Sequence, residues 1–294
     1  MRMLRVSCVI AAFCFASLAT SAQQPTSSAA PAVSDPQAVA LIQRALAALT
    51  GGVPVSDVTL TGSAQRVAGS DSETGTATAK ARSDGSSRLD FSYPSGTRSE
   101  IRNPSGMPRA DVTPQNLPVA ATTISDSQPV GAWSGPDGIL HGTPSHNLMT
   151  DPTWFFPATT LANALSSAGN VISYIGPETH NDQPTIHIRI SQPLPSTFEA
   201  PPQAATLIEH LTQMDLYLSS GTTIPVALTF NVHPNNNAFV DAEVEIRFSD
   251  YQVVSGISIP FHLQEYLNGG PVLDLQFSSA ILNAGLPSTL FQIQ

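Results

Sequence analysis

Two histidines, His141 and His146, stand five residues apart and close to Asp137 and Asp151. Imidazoles and carboxylates are the usual ligands of a zinc-type centre. Their spacing matches no zinc motif, and a five-residue step does not align two ligands on one helix. The four are read as ordinary polar loop residues, with no metal ligand and no cofactor assigned. A serine hydrolase would carry its nucleophile on an elbow such as G-x-S-x-G. Gly131-Ala132-Trp133-Ser134-Gly135 has its serine one place late, so no catalytic residue is assigned. Asp241, Glu243 and Glu245 suggest paired carboxylates for acid–base work. Two-residue spacing puts them on one strand face, opposite apolar neighbours, and predicts solvent exposure.

Apolar binding is the remaining chemistry. Trp154-Phe155-Phe156-Pro157 is the densest aromatic patch. It can wall an apolar pocket, or pack a helix entry onto a sheet. Ala77, Ala79 and Ala81 put small side chains on one strand face, leaving room for a ligand or for a closely packed helix. Leu228 and Phe230 are inward positions of an alternating run. Trp154, Phe155, Phe156, Leu228, Phe230, Ala77 and Ala79 are the candidate ligand-binding residues.

The elements that must position these residues are mostly strands. Val39, Ile42, Leu46 and Leu49 recur at helical spacing. Ser34 serves as candidate cap, Pro36 falls in the first turn and Gly51 acts as the stop. A second helix is expected from about Ala158 to Ala168. Period-two alternation marks strands around Val58–Thr61, Thr74–Ala81, Arg88–Tyr93 and Arg98–Arg102. Pro136-Asp137-Gly138 reads as a tight hairpin. Clearer alternation follows at Ile186–Ile190, Val226–Val232, Asp241–Phe248, Ile257–Gln264 and Leu273–Phe277. Each run has one apolar face, which is the antiparallel pattern. Residues 103–130 are Pro-rich and aperiodic, a long loop. About ten strands and two helices predict a mainly β (α+β) fold, with one large curved antiparallel sheet and helices on its apolar side. A closed sandwich would leave the first helix no surface to lie on.

Composition narrows the function. The 294 residues carry 12 Lys+Arg against 22 Asp+Glu, a formal charge of −10, and Lys80 is the sole lysine. Nucleic acid and anionic membrane surfaces need clustered cations, so both are poor partners, and no nucleic acid is expected. A basic start at Arg2 and Arg5, an apolar run from Val6 to Leu18 and small residues at Thr20-Ser21-Ala22 predict a signal peptide over 1–22. The apolar run is shorter than the ~20 residues a membrane span needs. Residues 23–33 read as a disordered linker and 34–294 as one domain. Both cysteines, Cys8 and Cys14, lie inside the signal. The mature chain would therefore be exported, soluble and free of disulfides. Cys14 follows Phe13, which does not suit a lipoprotein signal.

Three segments carry a family resemblance. Thr222-Thr223-Ile224-Pro225 opens a strand after Leu216–Leu218. Tyr251-Gln252-Val253-Val254-Ser255-Gly256-Ile257-Ser258-Ile259-Pro260 follows. The chain closes through Asn283-Ala284-Gly285 to Phe291. This order resembles the LolA-like superfamily of periplasmic lipoprotein carriers, over about Met214–Phe291. The resemblance implies an open half-barrel with helices on its concave face, and a hollow that takes a lipid or lipoprotein acyl chain. It favours a periplasmic location over an extracellular one and a non-catalytic role. An exported hydrolase with an unrecognised site, or an envelope protein that binds another protein, are the alternatives.

Overall fold

The computed structural model describes residues 33–104, 129–151, 153–194 and 201–293. The expected signal and most of the linker and Pro-rich loop lie outside these residues. In chain order the elements are α1 (Pro36–Thr50), β1 (Asp57–Ala68), β2 (Asp71–Arg82), β3 (Ser87–Tyr93), β4 (Gly96–Asn103), β5 (Val130–Ser134) and β6 (Leu140–Gly142). Then come α2 (Pro157–Ser166), β7 (Val171–His180), β8 (Gln183–Ser191), α3 (Pro202–Thr212), β9 (Met214–Ser219), β10 (Pro225–Val232), β11 (Ala242–Val254), β12 (Ile257–Leu267) and β13 (Gly270–Leu282). Single 3₁₀ turns sit at Ser145–Asn147 and Ser288–Phe291. No helix of the described residues is long and apolar enough to cross a membrane.

The thirteen strands of the described residues form one antiparallel sheet in the order β6-β5-β4-β3-β2-β1-β13-β12-β11-β10-β9-β8-β7. It is two meanders joined where β1 pairs with β13, and it stays open at β6 and β7. Tight hairpins drive the meanders. Asn181-Asp182 and Ser255-Gly256 both take positive φ, as does Asn268-Gly269. That is the two-residue turn whose twist matches antiparallel strands.

The concave face is apolar. Leu60, Ala79, Leu216, Leu228, Ile246, Leu263 and Leu275 share one core with the buried stripe of α1, which is Ala38, Leu41, Ile42, Ala45 and Leu49. Helix α1 touches β12 in mid-sheet and β7 at the edge, so the sheet curls around it. Asp35, rather than Ser34, caps α1 by accepting from Gln37 N at 2.7 Å. Ser34 instead binds the start of β7, its Oγ accepting from Ile172 N at 3.0 Å. Gly51 ends the helix in the left-handed region, where glycine has no steric cost.

The closing Asn and Phe of the chain have physical jobs. Asn283 Oδ1 accepts from Ser56 N at 2.7 Å. The Asp57 carboxylate accepts from the backbone of Ala284 and Gly285 at 2.8 and 3.0 Å. Burial opposes the charge on Asp57, but hydrogen bonds from Ser56, Gly285 and Ala284 outweigh it and hold the carboxyl below its ordinary value. Phe291 is wholly buried, and Asn103 Nδ2 donates to its carbonyl at 2.7 Å.

The β1–β13 seam has no spare room. Its register shifts between Thr61 and Gly62. A Cβ on Gly62 would sit 2.1 Å from Gln276 O and 2.5 Å from Phe277 Cα. Gly62→Ala should therefore cost about 3 kcal/mol through backbone overpacking. Gly142, with no neighbour within 4 Å of its Cβ position, should accept alanine at less than about 0.5 kcal/mol. Urea midpoints compare the two, and a wild-type midpoint for Gly62→Ala would contradict this close approach.

Candidate functional site

The seven residues expected to hold a ligand are buried where the helices meet the sheet. Phe155 and Phe156 are fully enclosed just before α2, and Trp154 is nearly so. Ala77, Ala79, Leu228 and Phe230 belong to the same core cluster. None of the seven lines either of two cavities found between the described residues.

The apolar phase of the strands changes character toward one end of the hollow. Side chains two residues apart share a face. Ala64 of β1 is thus followed by Arg66, and Leu263 of β12 by Glu265. Across the ladder Arg66 stands opposite Glu73 and Leu273, and Leu273 opposite Glu265. On the other flank Leu89 is opposite Glu100, Phe91 opposite Arg98, and Glu100 opposite Trp133. Of these, Arg66, Phe91, Arg98, Glu100, Trp133, Glu265 and Leu273, with Tyr93, bound a cavity of about 860 Å³. Small-molecule sites fall at roughly 300–1,000 Å³.

Its walls are aromatic with a few charges. Phe91 and Tyr93 stack at 5.8 Å. Tyr93 lies close over β2 because residue 75 is glycine, where a Cβ would meet Ser92 O at 2.0 Å and Tyr93 Cδ1 at 2.8 Å. Trp133 is 41% exposed and stacks on His141 at 4.3 Å. Arg66 and Arg98 approach Glu73 at 3.5 and 3.9 Å. A hydrogen bond from the Ser95 side chain, with help from its backbone and both arginines, keeps Glu73 below its ordinary value despite desolvation. Burial pushes Tyr93 up to about 12 and Glu265 up to about 7, with Glu100 adding to the latter. Tyr93 Oη and Arg98 Nε are buried with no hydrogen-bond partner among the described residues.

A second cavity of about 790 Å³ includes Leu148, Thr160, Asn163, Ile190, Ile208 and Met214. Pro104 and Pro129 are also among its walls, and residues 105–128 between them lie outside the description.

The residues first considered for metal or acid–base chemistry are spread among structural tasks. Asp137 Oδ1 accepts from Ile139 N inside the β5–β6 turn. Asp151 accepts from Thr153 N at 2.7 Å and Asn163 Nδ2 at 3.0 Å, bracing the entry to α2. His146 packs beside His233, away from His141 and its Trp133 partner. Ser134 ends β5 opposite Leu140. Asp241 and Glu243 are exposed, as expected from their spacing, but Glu245 is not. It accepts from His180 and Asn181 and pairs with Arg247 at 2.8 Å. Burial works against its charge, and these hydrogen bonds prevail and hold it low. Beside it His180 stacks on Tyr217, and His187 and Arg189 reach Asp215 at 2.7 and 2.8 Å. The convex face therefore carries a polar ladder.

A serine–histidine–aspartate relay does occur, at Ser249, His262 and Asp274. Ser249 Oγ is 3.1 Å from His262 Nδ1, and His262 Nε2 is 3.0 Å from Asp274 Oδ2. It lies across three paired strands and lines neither cavity. Its ring nitrogens are reversed relative to the hydrolase triad, where Nε2 faces serine.

No family model and no curated protein matches the chain by sequence. Solved structures do match in shape. A DUF1329 family protein from Desulfovibrio piger superposes with a TM-score of 0.53 at 9% identity, over 87% of this chain and 96% of that one. A LolA superfamily protein from Nitrosomonas europaea gives 0.50 at 10% identity, over 87% and 97%. At such identity the likeness is one of fold, an open LolA-like half-barrel, in agreement with the sequence resemblance.

Glu265 makes the cavity pH-sensitive. Its carboxyl has an ordinary value of 4.5 and about 7 in the folded chain. Between these values the unfolded chain releases a proton that the folded one keeps, so stability falls as pH rises from about 4.5 to 7. Urea unfolding at pH 5 and pH 8 should show this loss, and Glu265→Gln should shrink it. An unchanged pH dependence in the variant would count against a buried, neutral Glu265.

Proposed function

We propose that this LolA-like half-barrel is an exported, non-catalytic binding protein for an amphipathic molecule, an acyl chain with an anionic head. The cavity carries this reading. It sets Phe91, Tyr93, Trp133 and Leu273 beside Arg66 and Arg98. Burial of an acyl chain is worth about 0.8 kcal/mol per CH₂. The unpartnered Tyr93 Oη and Arg98 Nε suit a carboxylate or phosphate acceptor. Leaving such donors unmatched costs ~1–3 kcal/mol each, which an anionic head would relieve. Nothing in this role requires proton transfer or a nucleophile.

A long chain would run inward from Phe91 to Ala77, its direct cross-strand partner, and on to Ala79. There it would compete with Trp154, Phe155, Phe156, Leu228 and Phe230 for the apolar interior. Residues 1–22 would direct export, with the periplasm favoured over the exterior.

Native mass spectrometry of the purified protein should reveal copurified lipid. A fluorescent fatty acid should be taken up saturably and quench Trp133. Arg98→Ala and Trp133→Ala should each weaken uptake about tenfold, equal to about 1.4 kcal/mol. Uptake should also be stronger at pH 6 than at pH 8, because Glu265 is neutral below about 7, and Glu265→Gln should flatten that difference. A lipid-free mass together with no uptake would sink the proposal.

A further inference from the structure

Away from this cavity, three metal-ligating side chains converge from separate parts of the chain. His210 lies in the last turn of α3, His233 directly follows β10, and Asp241 directly precedes β11. His210 Nε2 is 2.9 Å from Asp241 Oδ1, and His233 Nδ1 is 3.3 Å from the same oxygen. One donor atom of each residue lies within 4.8 Å of the other two. Tetrahedral zinc with bonds of about 2.0–2.1 Å separates its ligands by about 3.3–3.4 Å. The three side chains need only small rotations to reach that spacing.

The His233 ring faces the cluster through Nδ1. Its side chain is fully buried. Nδ1 faces two oxygens, Asp241 Oδ1 and, at 3.1 Å, the Val240 carbonyl. Nε2 is buried with no partner among the described residues. A proton on Nδ1 leaves the Nε2 lone pair unmatched. A proton on Nε2 leaves that N–H unmatched and turns the Nδ1 lone pair toward oxygen. The doubly protonated ring again leaves Nε2–H without an acceptor. A cation held between Nδ1 and the Asp241 carboxylate removes the lone-pair-to-oxygen contact of the Nε2–H tautomer, and the ring then ligates in its neutral form through Nδ1.

The surroundings are preorganised. Asn147 grips the His233 backbone from both sides, accepting from its N–H and donating to its carbonyl, each at 2.8 Å. The His146 and His210 rings pack edge-on to that of His233 at 5.9 and 6.0 Å. Asp241 is exposed and His210 half-buried, so an ion can enter from solvent. Two imidazoles and one carboxylate suit zinc, nickel or copper far better than magnesium or calcium, which prefer oxygen ligands.

We infer that His210, His233 and Asp241 form a binding site for a divalent transition-metal ion, joining α3 to the β10–β11 connection. The full chain, stripped with chelator and titrated with zinc by calorimetry, should bind one ion per chain. Its Tm should rise with zinc but not with magnesium. Asp241→Asn and His210→Ala should each weaken binding at least tenfold, while His262→Ala on the convex face should bind as wild type. Circular dichroism checks that each variant folds; if His210→Ala does not, the near-isosteric Asp241→Asn decides. Cobalt(II) should give the intense visible bands of a four-coordinate site in wild type and lose them in Asp241→Asn. Absence of zinc binding by the wild type, or undiminished binding by a folded Asp241→Asn, would overturn the assignment.

Discussion

One constraint governs this protein: a thirteen-stranded open sheet has a single apolar face, and that face must be covered. Helix α1 and the Trp154–Ser166 segment supply the cover over most of the hollow. Phe155 and Phe156 are fully buried there, each worth about 1.5–3 kcal/mol relative to exposure. The helices do not reach the whole concave surface. Where their cover ends, the strands continue, and their inward positions change from Ala64, Leu263 and Leu89 to Arg66, Glu265 and Glu100. The cavity is the uncovered remainder of a face that is otherwise core.

The two faces of the sheet manage polar groups differently. On the convex side, charges are paired and hydrogen-bonded through the Glu245, Asp215 and Asp90 clusters. Despite desolvation, these hydrogen bonds and ion pairs hold the carboxyls below their ordinary values, so they stay charged. On the concave side, Glu265 is pushed toward neutrality by burial and the Tyr93 and Arg98 donors lack partners. Among the described residues, Arg102, Asn103, His187, His233 and Arg247 also bury an unmatched polar atom, so what sets the cavity apart is that two such donors stand beside aromatic walls.

Much of the architecture was legible in the sequence because alternation is a direct print of burial. The runs at Ile186–Ile190 and Ile257–Leu263 point inward as their period requires. Helix α3 left no such print, since only Leu211 and Thr212 on it are buried. Edge strand β7 was likewise obscured by its exposed Pro177-Glu178-Thr179 stretch. Glu245 looked solvent-facing because its partners His180 and Asn181 come from a distant hairpin. The cavity did leave a trace. Arg66 and Glu265 occupy the apolar phase of their strands, and a charge in that phase signals a wall that faces something other than core. The His210, His233 and Asp241 cluster left none, because its members meet only after α3 docks near the end of β10.

The β1–β13 seam also sets the order in which the molecule can be completed. Val58 pairs with Leu282, so the first strand finds its neighbour only when the last has been synthesised. Each meander can form locally, but the continuous sheet and the Phe291 clasp over β3 and β4 must wait for residues 270–291. Loop closure over such a separation is slow. A nascent chain of this topology therefore holds two separate meanders until β13 is available to join them.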